Sequence, residues 1–90
     1  MRAVWKYPLT DSLSQIDMPE DAEVLDVQLQ GNIPHMWVLV NPHATLETRY
    51  FHMFGTGEPF DDKTGQLGYY CGTLYLDGGR SVLHVFEVGA

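Results

Sequence analysis

Glu23-Val24-Leu25-Asp26-Val27-Gln28-Leu29-Gln30 alternates apolar and polar residues. Leu25, Val27 and Leu29 point one way and Asp26, Gln28 and Gln30 the other, the period of two of a half-buried strand. Gly31-Asn32 follows, a dipeptide suited to the left-handed pair of a two-residue hairpin. Ile33-Pro34-His35-Met36-Trp37-Val38-Leu39-Val40 comes next, with Pro34 near its start, where a missing N–H is tolerated. Its faces are Met36, Val38, Val40 and His35, Trp37, Leu39. Both are largely apolar, so this strand lies inside a sheet or turns its second face to another subunit.

The same pattern extends outward from this hairpin. Arg2 to Tyr7 reads as a first strand ended by Pro8. Ser12 to Met18, with Leu13 and Ile16 spaced imperfectly among polar residues, reads as a weak edge strand. Pro19 to Ala22 is a turn with room for one short helical turn. After the loop Asn41-Pro42-His43-Ala44, Glu47 to Phe54 is a strand. It carries Glu47, Arg49, Phe51 and Met53 on one face and Thr48, Tyr50, His52 and Phe54 on the other. Gly55-Thr56-Gly57 breaks it, and Glu58 to Gln66 is the longest loop. Leu67 to Leu76 is a strand with a candidate bulge at Gly72. Asp77-Gly78-Gly79 turns the chain into Ser81 to Val88, where Val82, His84, Phe86 and Val88 share a face opposite Leu83 and Val85. No 3.6-residue stripe exceeds two turns. The expected fold is all-β: a small antiparallel sandwich or partly open barrel of six to seven strands. At most one short helical turn is expected, in a single domain over residues 1–90.

Composition removes several functions. The chain has 90 residues, 5 Lys+Arg against 12 Asp+Glu and a formal net charge of −7. Folding is expected to bury roughly 60–65% of the extended chain's surface, enough for a core but with a thin margin. No apolar run approaches the roughly 18 residues a membrane helix needs. The N-terminal stretch lacks the apolar core of a secretory signal. Cys71, the one cysteine, cannot pair within the chain, which fits a reducing cytoplasm. Five scattered cations, Arg2, Lys6, Arg49, Lys63 and Arg80, do not make a nucleic-acid surface.

Chemistry-bearing groups are sparse. His35, His43, His52 and His84 form no His-x-His or His-x-x-x-His pair, so no metal site is expected. Asp61-Asp62 reads as a solvated loop. Cys71 sits mid-strand between Tyr70 and Gly72 with nothing nearby to lower its pKa, and reads as an apolar filler. No Gly-x-Ser-x-Gly elbow surrounds any serine. No catalytic residue and no cofactor is expected.

Binding has more material. Gly55-Thr56-Gly57 can turn successive N–H groups toward an anion. Arg49 stands upstream and Lys63 downstream, among Tyr50, Phe51, Phe54, Tyr69, Tyr70 and Tyr75. Rings, a guanidinium and glycine N–H groups suit a small anionic or nucleotide-like ligand. The expected ligand-binding set is Arg49, Tyr50, Gly55, Thr56 and Gly57, with Arg49 as the bidentate anion contact. Eleven aromatics and a two-faced apolar strand exceed what one thin core covers. A homo-oligomer, dimer or higher, is therefore expected, with Trp37, Met36 and Val38 at its interface.

Lys6-Tyr7-Pro8-Leu9, Met18-Pro19, Val27-Gln28-Leu29-Gln30, Pro34 with Trp37, and Glu47-Thr48-Arg49 share a pattern with one group of proteins. Phe54-Gly55-Thr56-Gly57, Gly72-Thr73 and His84-Val85-Phe86-Glu87 continue it. Over nearly its whole length the chain resembles a family of small bacteriophage and prophage proteins, a domain of unknown function with no assigned catalytic residues. The resemblance implies a phage protein in the cytoplasm of an infected bacterium, and small phage proteins often act on the host and its defences. The leading expectation is a non-enzymatic binding protein acting against host defence. It would sequester a small cyclic nucleotide signal or block a host defence protein. The competing readings are a phage structural or assembly component and a small metal-dependent phosphoesterase using His and Asp residues.

Overall fold

A computed structural model describes residues 1–60 and 67–89. They form strands β1 (Ala3–Pro8), β2 (Leu13–Pro19), β3 (Glu23–Gln30), β4 (Ile33–Val40), β5 (Leu46–Gly55), β6 (Leu67–Leu76) and β7 (Ser81–Val88). A three-residue 3-10 turn, Asp77–Gly79, joins β6 to β7. One antiparallel sheet has the order β1-β4-β3 and the other β2-β5-β7-β6. The all-β expectation holds, and of its two forms the sandwich is the one adopted.

The β3–β4 hairpin turns where the sequence places it. Gly31 and Asn32 take φ of +58° and +63°, both left-handed, which a two-residue turn of matching twist requires. β4 lies between β1 and β3, the central place its two apolar faces suggest, with both edges paired within the chain. Met36, Val38 and Val40 enter the core, and His35, Trp37 and Leu39 face outward, half-buried.

β3 departs from strict alternation. Its pairing moves from Val24↔Val38 directly to Asp26↔Trp37, leaving Leu25 as a bulge. The extra residue resets the phase: Val24 and Val27 are buried, whereas Leu25 is 46% exposed. Asp26 holds the kink by accepting the Val27 N–H at 2.8 Å through Oδ1. The expected alignment of Leu25 with Val27 and Leu29 is thus corrected by one bulged residue. β2 takes the edge place expected of it, with Ser14, Ile16 and Met18 on its inner face and Leu13 pointing outward.

The core between the sheets is built from Leu9, Met18, Val24, Val27, Met36, Val38, Val40, Phe51, Leu74 and Val85. On one side the edges β3 and β6 lie against each other. There β6 bulges at Gly72, and the residue has φ of +150°. A Cβ at Gly72 would stand 2.6 Å from Val27 Cγ2, so only a glycine permits this approach. No helix among the described residues is long and apolar enough to cross a membrane.

A candidate binding surface on the four-stranded sheet

Arg49 is on the inner face of β5, near the end of the sandwich. Its Nε donates to Glu87 Oε2 at 2.7 Å, its Nη2 to Glu87 Oε1 at 2.7 Å and its Nη1 to the Ala22 carbonyl at 2.6 Å. The fork–fork pair is substantially buried, with side-chain exposures of 16% for Arg49 and 23% for Glu87. The hydrogen bonds that Arg49 donates to Glu87 raise its pKa, against the opposing effect of burial. Arg49 thus ties β5 to β7 and to the start of β3, and its charge is met within the chain. An open cleft of about 430 Å³, lined by Ala22, Glu23, Val24, Arg49, Tyr69 and Glu87, lies over this clamp.

The Gly55-Thr56-Gly57 turn is at the far end of β5, about 20 Å away at the rise of a strand. Two of its backbone donors are committed locally: the Gly55 N–H to Glu58 Oε1 at 2.9 Å, and the Thr56 N–H to the Val82 carbonyl at 3.2 Å. An internal carboxylate therefore stands where a ligand's anion was expected. Tyr50 points to the opposite face of β5 from Arg49. The five expected ligand residues are brought into one strand and its following turn, but not into one pocket. Lys63 and the Asp61-Asp62 pair lie outside the described residues.

The outward face of the four-stranded sheet has a different character. The pairs Leu13↔His52, Tyr50↔Val88, His52↔Phe86 and Phe54↔His84 share it, as do Tyr70↔Phe86, Thr73↔His84 and Tyr75↔Val82. None of these residues is charged. His52 stacks on Phe54 with centroids 4.0 Å apart, and Phe60 folds over Phe54 at 4.3 Å. Tyr70 meets Phe86 edge-on at 4.9 Å. Leu13, Phe60, Tyr70 and Tyr75 nevertheless remain 51%, 44%, 43% and 66% exposed.

A chain of hydroxyls and an imidazole fixes one end of this face. Thr56 Oγ1 lies 2.6 Å from His84 Nε2, and the Tyr70 hydroxyl lies 3.0 Å from His84 Nδ1 and also bonds the Thr73 hydroxyl. Both imidazole nitrogens are met by hydroxyl partners, which tie the ring to β6 and to the turn after β5. His52 and His84 do come onto neighbouring strands, with Phe54 and Phe86 set between them. Among the described residues no three His, Cys, Asp or Glu groups converge on a point.

Of the three expected interface residues, Met36 and Val38 are fully buried core side chains. Alternation along β4 makes Trp37 the only one of them that faces outward, beside Lys6 and Asp26 in register. Cys71 packs against the core, and burial pushes its thiol up to about 11, reinforced by Glu87.

Glu87, Glu58 and Phe60 carry much of this geometry without having been expected as site residues. Glu87 had a readable signal. It continues the apolar Leu83–Val85 face of its strand, as Arg49 precedes Phe51 on its own. Two opposite charges entering one core from two strands need each other.

A family model described as a domain of unknown function, DUF7352, matches residues 1–90. No curated protein and no solved structure matches the chain.

Proposed function

The chain belongs to the DUF7352 family, and from that membership and the geometry above we propose a non-enzymatic binding protein whose partner docks on the outward face of the four-stranded sheet. One observation carries this reading: an aromatic-rich, exposed sheet face whose single described charge is Asp17 at one corner, on a chain of net charge −7. A face from which an acidic chain keeps nearly all its charges, while leaving rings open, is characteristic of a partner site. Tyrosine rings there supply rigid contact area with a polar tip.

The resemblance to small phage proteins supports a setting in the cytoplasm of an infected bacterium, where the partner is a host defence protein. Sequestration of a cyclic nucleotide has less support. The expected cation, Arg49, is neutralised by Glu87, and the Gly55 donor is taken by Glu58. Self-association belongs to the same proposal through the other sheet, where Trp37 faces outward and Val4 and Ile33 are exposed.

The test is retention of a bacterial protein from lysate on immobilised wild-type chain and on the Leu13→Ser/Tyr75→Ser variant, with calorimetry against cyclic nucleotides alongside. The expected result is a protein retained by the wild type alone and no nucleotide heat. Stoichiometric nucleotide binding, or retention indifferent to the two substitutions, overturns the reading.

A further inference from the structure

Resting on that docking face, we infer that its partner is a protein whose own apolar patch is edged with Lys and Arg, concentrated at one end. The argument is charge placement. β5 and β6 both run antiparallel to β7, and β2 runs antiparallel to β5. The ends of β5 and β6 and the start of β2 therefore lie together at one end of the sheet. Asp11 precedes β2 there, Glu58 follows β5 and Asp77 follows β6, with Arg80 as the single cation beside them among the described residues. At the opposite end Asp17 stands on the face itself, where its Oδ1 accepts the Thr48 hydroxyl at 2.6 Å. Among the described residues the one ion pair is Arg49–Glu87, on the inner side of the sheet, so no described cation pairs with these four carboxylates.

This arrangement selects between occupants. A second copy closing face to face about a two-fold axis would set carboxylates against carboxylates, whichever ends meet, and oppose −7 to −7. Nucleic acid has the wrong sign. A partner with charges over the middle of the face would bury them against rings with no counter-charge, which is costly. What remains is a protein with an uncharged centre and a basic edge. Edge charges of this kind act mainly on encounter, raising the association rate in a salt-dependent way.

The experiment uses the full chain, immobilised. Kinetics are measured with the bacterial protein retained from lysate, at about 50 mM and about 500 mM salt, for the wild type, Asp11→Asn/Asp77→Asn and Leu13→Ser/Tyr75→Ser. All four positions are exposed, so folding is preserved. The association rate is expected to fall about tenfold across that salt range. It should also fall several-fold in the Asp11→Asn/Asp77→Asn variant with dissociation unchanged. If association ignores both salt and the Asn pair while Leu13→Ser/Tyr75→Ser still abolishes binding, the docking face stands and the basic-edge inference falls. If Leu13→Ser/Tyr75→Ser binds normally, the docking face itself falls. A wild-type dimer in light scattering that the same variant dissociates would show a second copy on the face and overturn the inference.

Discussion

Replacing Arg49 with alanine separates a ligand contact from a structural clamp. The substitution removes three charge-assisted hydrogen bonds, two to Glu87 and one to the Ala22 carbonyl. It also strands the Glu87 carboxylate in a site where its side chain is only 23% exposed. Breaking a fully buried pair from one side costs about 3–5 kcal/mol. The remaining solvent access brings the expectation to the low end, about 3 kcal/mol. At roughly 4–8 °C per kcal/mol for a domain of this size, the melting temperature should fall by roughly 12–24 °C. Replacing both partners, as Arg49→Met/Glu87→Leu, should recover most of that loss, because neither charge is then left alone. Thermal unfolding followed by circular dichroism reads both variants. The reasoning is refuted if Arg49→Ala melts within about 2 °C of the wild type, or if the double replacement is worse than the single one.

Gly72→Ala should destabilise the chain by about 2–4 kcal/mol in urea unfolding, since its new methyl meets Val27 Cγ2 at 2.6 Å on a φ of +150°. Tyr70→Phe removes the hydroxyl shared by His84 and Thr73 and should cost about 1–2 kcal/mol without loss of fold. Cys71, with its thiol pushed up to about 11, should react with iodoacetamide at pH 8 about a hundredfold more slowly than a free thiol of pKa about 8.5. Because the folded value lies above the unfolded one, the stabilisation from Cys71 is complete below about pH 8.5 and disappears as pH rises through about 11.

Much of the fold was legible because alternation and turn chemistry act locally. The hairpin at Gly31-Asn32, the central place of β4, the edge place of β2 and the bulge at Gly72 all follow from residues near one another in sequence. What was not legible depends on pairing between distant strands. Leu25 looks equivalent to Val27 until the register with Val38 and Trp37 forces a bulge between them. Met36 and Val38 read as interface candidates because a two-faced strand does not say which face the second sheet will cover. The site suffered in the same way. Arg49 has the sequence context of an anion contact, but only the β5–β7 pairing, which sets Phe51 opposite Glu87, shows that its counter-ion is internal. Thr56 and His84 are 28 residues apart, and their contact depends on β5 and β7 lying side by side.

The most direct test of the docking face is hydroxyl-radical footprinting of the chain, free and in complex with the bacterial protein it retains. Tyr70, Tyr75 and Phe60 should lose most of their oxidation in the complex, while Met1 and Trp5, exposed elsewhere, keep theirs. Unchanged oxidation of Tyr70 and Tyr75 together with protection of Trp37 would contradict the account and move the binding surface to the three-stranded sheet.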